Sequence, residues 1–269
     1  MILLSCGSEK NDFIDRMERE HRDDEPVVNA SSDYRPQQQV KTETVSYATI
    51  NGTEVTGYMA QPEKSGSDLP GIIVIHEWWG LNDNIRMMTR RLAEQGYKAL
   101  AVDLYMGESA ESPDKAGQLA REAGEHPDRA ISNLEQAYAY LTGQQNVSRV
   151  GTIGWCFGGG WSLRTALALP DQIDAAIIYY GRLVTDPGQL QVLEMPILGI
   201  FGEEDSGIPP EEVNRFEAAL NEAGVTNSIH IYEGAGHAFA NPSGNRYVEE
   251  AAEDAWAKTT AFFDQHLKR

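Results

Sequence analysis

Apolar and polar positions along the chain fall into two rhythms, and the switches between them set the order of elements. From Thr42 to Ala60 they alternate around Asn51-Gly52, and a period of two on either side of a turn dipeptide predicts a β-hairpin. After a turn-rich connector, Pro62 to Pro70, the run 71–76 is apolar throughout and of strand length. Residues 85–95 have helical spacing closed by Gly96. The alternation then repeats. It predicts a strand over 97–104, one long helical region over 113–141, a strand over 149–155 and a helix over 159–169. Strands over 175–180 and 197–201 follow, then a helix over 210–223, a strand over 228–232 and a last helix over 248–267. Strands that are apolar on both faces and alternate with helices predict an α/β protein. It should have a mostly parallel twisted sheet, helices on both faces and an N-terminal antiparallel hairpin. Such sheets take ligands at the carboxyl ends of their strands, so the chemistry should lie in the loops that follow strands.

Ahead of the hairpin the pattern is different. Residues 11–39 are dense in Asp, Glu, Arg, Asn and Gln with few apolar positions, too little to offset the entropy of ordering. The expected organisation is a mobile leader over 1–39, with room for a short helix, followed by a single domain over 40–269. Leu3-Leu4-Ser5-Cys6 resembles the end of a bacterial lipoprotein signal, in which an apolar residue and a small residue precede a lipidated cysteine. On that reading Cys6 begins the mature chain, residues 7–39 form a tether, and the protein is exported to the periplasm or outer surface. The other reading is a frayed N-terminus on a cytoplasmic protein. Membrane contact is expected only through that lipid, because no apolar run approaches ~18 residues.

The chain has 269 residues, 41% of them hydrophobic and 23% charged, which is the balance of an ordinary folded domain. Its 41 Asp and Glu against 22 Lys and Arg give a formal charge of −19. That excludes nucleic acid as a partner, since phosphates need a basic face, and it disfavours anionic ligands unless a pocket supplies cations. The chain has only 2 cysteines, Cys6 and Cys156, so no disulfide framework exists.

Cys156 stands in Gly154-Trp155-Cys156-Phe157-Gly158-Gly159-Gly160, between a strand and a helix. A turn this tight needs residues without side chains two positions either side of the nucleophile, and Gly154 and Gly158 meet that need. A thiol at a helix N-terminus is favoured as thiolate, and the N–H of Phe157 would face a developing oxyanion. A thiol nucleophile needs a base, and the base an orienting acid. Of the 6 histidines, His237 follows the last strand in a small-residue loop, Gly234-Ala235-Gly236-His237. His76, at the end of its own strand, is a weaker rival. The acid is expected after strand 197–201, where Glu203, Glu204 and Asp205 stand in a row. Asp205 is chosen because some residues of turn are needed to bring a carboxylate back towards the histidine, with Glu203 and Glu204 left as alternatives.

Together these stretches resemble the dienelactone hydrolases, also called carboxymethylenebutenolidases, of the α/β-hydrolase fold. The resemblance runs from about Val40 to the C-terminus. It rests on His76-Glu77-Trp78-Trp79-Gly80, Val102-Asp103-Leu104-Tyr105, Gly154-Trp155-Cys156-Phe157-Gly158-Gly159, Tyr179-Tyr180-Gly181, residues 202–205 and Gly236-His237-Ala238-Phe239. It implies Cys156 as nucleophile, His237 as base, Asp205 as acid and the Trp78 N–H as second oxyanion donor beside Phe157. It also implies that Glu77 bonds the resting thiol and helps convert it to thiolate. No cofactor and no metal is expected.

One departure bears on substrate. The family's founding enzymes hold a substrate carboxylate with two arginines, and the corresponding positions here are Gly107 and Asn241. An uncharged ester or lactone is therefore the expected small-molecule substrate, in a pocket that Trp79, Tyr105, Trp155 and Phe239 could line with Asn241. Each of those aromatics could equally be core. The competing expectation is a lipoprotein that uses the hydrolase scaffold to bind a ligand with little or no catalysis.

Overall fold

Asn51 and Gly52 both take positive φ, 50° and 81°, the conformation that a two-residue hairpin turn requires. They join β1 (Val40–Ile50) to β2 (Thr53–Pro62), which pair antiparallel from Ile50↔Thr53 to Val40↔Pro62. In this computed structural model the described residues are 15–22, 24, 34, 37–64 and 68–268. Cys6, the expected lipidation position, lies outside them.

The sheet has 8 strands in the order β1-β2-β4-β3-β5-β6-β7-β8. The further strands are β3 (Gly71–Ile75), β4 (Lys98–Val102), β5 (Val150–Trp155), β6 (Ala175–Tyr179), β7 (Ile197–Gly202) and β8 (Asn227–Tyr232). From β4 to β8 every pairing is parallel, and β2 joins β4 antiparallel. Every residue of β3, β5, β6 and β7 is buried, so both faces of the central sheet are covered, as continuous apolar runs require. Each fully buried isoleucine there contributes about 1.5–3 kcal/mol.

The helices are α1 (residues 15–20), α2 (Asp83–Glu94), α3 (Pro113–Glu125), α4 (Pro127–Ala139), α5 (Phe157–Ala168), α6 (Pro187–Leu190), α7 (Pro210–Glu222) and α8 (Glu249–Leu267). The single helix expected over 113–141 is two. Pro127 has no N–H to continue the ladder and forces His126 out of the helical region, to φ −117° and ψ 58°. A π-helical turn, Tyr140–Gln144, ends the second. On β5, a Cβ at Gly151 would come within 2.7 Å of Phe263 and 2.9 Å of Leu267, so a bare backbone there lets α8 lie close on the sheet. Among the described residues no helix is long and apolar enough to cross a membrane.

Within the expected leader, the described residues 15–22 and 24 include the short helix and pack on the domain. Residues 15–20 are helical, Met17 and His21 are buried, and the segment is pinned by Arg121 to Asp15 and Glu18, Arg16 to Glu212, and Arg246 to Glu20 and Asp24. A polar stretch can order when a preformed domain supplies cations for its carboxylates and a cleft for its few apolar side chains. Pattern alone does not contain that information.

Candidate active site

Cys156 sits between β5 and α5 at φ 54° and ψ −117°, a backbone conformation that side chains other than glycine seldom hold without surrounding support. The support is close packing. A Cβ at Gly154 would lie 2.1 Å from Gly158 O, and one at Gly158 would lie 2.3 Å from Ile75 O. The Cys156 N–H donates to Tyr179 O at 3.0 Å. Phe157 opens α5, so its N–H is among the first-turn donors that no carbonyl of the helix accepts. The thiol is 1% exposed. Burial pushes its pKa up, but the positive charge of His237 and the hydrogen bond to His21 more than reverse this, and it falls to about 6.

His237, in the loop after β8, is fully buried, and its Nδ1 lies 2.7 Å from Asp205 Oδ2. The other oxygen of Asp205 accepts the Gly207 and Ile208 N–H groups at 2.8 and 2.9 Å, which turns the carboxylate back from the end of β7 towards the imidazole. Glu203 and Glu204 are exposed, and Glu203 accepts only the Gly234 N–H on the surface. Burial works against a charge on His237, but Asp205 and the thiolate raise its pKa well above the ordinary value, while His237 holds that of Asp205 below its own. The two shifts together favour a thiolate beside an imidazolium. His237 Nε2 is buried and, among the described residues, has no hydrogen-bond partner.

Glu77 follows β3 and is 3% exposed. Its Oε2 accepts from Asn84 Nδ2 at 3.2 Å and from Asn241 Nδ2 at 2.8 Å. Its hydrogen bonds thus go to two amides rather than to the thiol, and it faces Cys156 as a charge. Burial and the neighbouring thiolate raise its pKa to about 7. His76 is excluded as a base: its Nε2 accepts the Leu104 N–H at 3.2 Å, which leaves Nδ1–H to donate to Glu77 O at 2.6 Å. Both ring nitrogens are therefore occupied by backbone partners, at Leu104 and Glu77.

A buried cysteine in a strand-to-helix turn, an oriented histidine and a buried glutamate converge at the carboxyl ends of β3, β5, β7 and β8 on an eight-stranded sheet. The sequence profile of the Dienelactone hydrolase family matches residues 55–267. The chain belongs to the dienelactone hydrolase family. Protein usf of Aquifex pyrophilus is 35% identical over 224 residues, which covers 81% of this chain and 96% of that one. A protein of Aquifex aeolicus named "Putative carboxymethylenebutenolidase" is 31% identical over 225 residues, with the same shares covered. Among solved structures, one titled "Putative Dienelactone Hydrolase" from Klebsiella pneumoniae superposes with a TM-score of 0.77 at 28% identity, covering 85% of this chain and all of that one, 100%. The chain is thus a dienelactone hydrolase-like hydrolase on the α/β-hydrolase fold.

Within this dienelactone hydrolase framework the expected pocket aromatics are mostly packing. Trp155 lies against Tyr179, whose hydroxyl bonds Thr259 of α8. Phe239 is fully buried between Tyr180 and Tyr232. Tyr105 lies against the rings of His76 and Phe157 and donates to Trp78 O at 3.1 Å, so it packs behind the loop that carries Trp78. Trp79 is buried edge-on to Trp78. Asn241 holds Glu77, and Gly107 donates its N–H to Asp103 Oδ2 at 2.6 Å. Gly107 and Asn241 thus serve the scaffold with uncharged groups.

His21 was not foreseen. It lies outside the stretch that matches the family and is 2% exposed, with its ring 4.5 Å from that of Trp78 and 4.9 Å from that of His237. Its Nε2 is 3.8 Å from Cys156 Sγ and its Nδ1 is 2.6 Å from Asp24 Oδ2. Burial opposes its charge, but the bonds to Asp24 and Cys156 raise its pKa overall. The one local sign in the sequence is that Met17 and His21 share a face at i, i+4 spacing.

Proposed function

We propose that this hydrolase cleaves uncharged carboxylic esters or lactones through a thioester on Cys156. The reading is carried by a low-pKa thiol in a strand-to-helix turn, beside a histidine whose Nδ1 is held 2.7 Å from a buried carboxylate. The thiolate attacks the carbonyl carbon, and the N–H groups of Phe157 and Trp78 receive the oxyanion. Collapse breaks the carbon–oxygen bond, and His237 gives its Nε2 proton to the departing alkoxide. Neutral His237 then takes a proton from water, and the resulting hydroxide attacks the thioester. The second tetrahedral intermediate expels the thiolate and leaves the acid and a reprotonated imidazolium. Glu77, poised at about 7, adjusts the charge felt by the thiol.

Preference for a neutral substrate is supported by charge. Glu77, Asp205 and the thiolate already offset the positive charge on His237 and His21 at the reaction centre, and Gly107 and Asn241 supply no further cation. Arg246, whose side chain reaches the leader over the site, is already paired with Glu20 and Asp24. The test is a set of matched neutral and anionic aryl esters and lactones. Neutral members should be turned over at least ~10-fold faster in kcat/KM, since no bidentate anion partner is present, and Cys156→Ala should turn over none. Activity in Cys156→Ala, or a preference for the anionic members, refutes the corresponding half of the reading.

A further inference from the structure

The hydrolytic reading leaves His21 without a task, yet its placement is specific. Cys156 Sγ, His21 Nε2 and His237 Nε2 lie within 4.8 Å of one another, on three buried residues. Each imidazole is tied through Nδ1 to a carboxylate, His21 to Asp24 at 2.6 Å and His237 to Asp205 at 2.7 Å. In neutral rings that arrangement leaves both Nε2 lone pairs directed at the sulfur. His237 Nε2 is buried and unpartnered among the described residues. A carboxylate behind each ligating imidazole is how metal sites fix tautomer and raise ligand basicity. One thiolate and two imidazoles suit a borderline-soft divalent cation and offer nothing to Mg2+ or Ca2+.

We propose that His21, Cys156 and His237 form a binding site for a divalent transition-metal ion, Zn2+ foremost, and that occupancy silences the hydrolase. Bonds of about 2.3 Å to sulfur and about 2.0–2.1 Å to nitrogen place tetrahedral ligand atoms about 3.3–3.6 Å apart. The sulfur and the His21 nitrogen are already at 3.8 Å, and closing the widest separation of 4.8 Å to a coordination distance needs a shift of at most about 1.5 Å, within reach of a helix held mainly by ion pairs at Asp15, Arg16, Glu18, Glu20 and Asp24. A water takes the fourth position. Coordination displaces the His237 proton to solvent and occupies the lone pairs of both nucleophile and base, so no attack can begin. The leader thereby closes the site as a ligand in its own right, outside the span that the family shares. His21 and Cys156 stand 135 residues apart in the chain, and no sequence spacing announces the set.

The site rests on geometry alone, whereas silencing also rests on Cys156 as nucleophile, and the experiment reads the two apart. Full-length protein is titrated anaerobically with Co2+ and then with Zn2+. One equivalent of Co2+ should give a thiolate-to-cobalt charge-transfer band with the strong visible absorption of a tetrahedral site, and Zn2+ should bleach it. Cys156→Ser should lose the charge-transfer band. Asp24→Asn should weaken Co2+ binding by roughly 10-fold and His21→Ala by roughly 100-fold or more, by the usual cost of losing an outer-shell partner or more. Ester turnover should fall with one equivalent of Zn2+ and return with chelator, and His21→Ala should need far more Zn2+ for the same loss. No charge-transfer band, or equal Co2+ affinity in wild type and both leader variants, overturns the site. A band without any zinc effect on turnover keeps the metal site and overturns the silencing together with the nucleophile assignment.

Discussion

Replacing Asp205 with Asn tests whether the buried carboxylate makes the thiolate. The change is nearly isosteric, and the Asn oxygen can still accept the Gly207 and Ile208 N–H groups now held at 2.8 and 2.9 Å, so the loop should stay folded. What changes is the 2.7 Å contact to His237 Nδ1, where an amide N–H2 replaces a charged acceptor. With charge centres about 4 Å apart and an effective dielectric of about 20, the lost attraction is about 4 kcal/mol, of which the amide dipole could return up to about half. A loss of about 2–4 kcal/mol is about 30- to 1,000-fold in the thiolate–imidazolium equilibrium. The ring is also driven to the tautomer with its proton on Nε2, which cannot accept a proton from water in thioester hydrolysis. Two measurements follow from this. The pH midpoint for alkylation of Cys156 by iodoacetamide should climb from about 6 towards the ordinary 9.0, and kcat/KM on a neutral aryl ester should fall about 10^2- to 10^3-fold. Thermal melting should be little changed. An alkylation midpoint still near 6 with less than a 10-fold loss of turnover would show that His237 does not depend on Asp205.

In the unmodified protein, alkylation should rise with pH through about 6, because a lowered thiol pKa keeps the thiolate present above that value and loses it below; a midpoint near 9 sinks the ion-pair description. Gly154→Ala should be severely destabilising, since its Cβ would stand 2.1 Å from a backbone oxygen that cannot rotate away. About 3 kcal/mol or more is expected, roughly a 10 °C fall in Tm for a domain of this size, and a Tm within 2 °C by the same rough scale contradicts the packing account. Arg246→Ala removes the ion pairs to Glu20 and Asp24 that help hold the leader over the thiol. At about 1 kcal/mol in total, iodoacetamide should react roughly 5-fold faster at pH 7, and an unchanged rate means the leader does not limit access.

Much of this architecture is legible in the chain because the interactions responsible are local. Period-two alternation around Asn51-Gly52 specifies the hairpin, and apolar runs separated by amphipathic stretches specify buried parallel strands. Gly154 and Gly158 announce the turn at Cys156 because backbone atoms occupy the space their side chains would need. Asp205 could be preferred over Glu203 and Glu204, but its role depends on two N–H groups of residues beyond it and on a histidine 32 residues away. The break at Pro127 is local as well, since a proline inside a helical pattern removes a ladder N–H and turns the residue before it out of the helix. The tertiary structure decided what is non-local. Trp155 and Phe239 are core because of the elements that pack on them. Asn241 serves Glu77 across 164 residues of chain. His21, in a stretch whose composition predicts no order, is fixed over the thiol by cations that the folded domain presents. Burial and charge at a site are sums over neighbours from many segments, and only the fold brings those segments together.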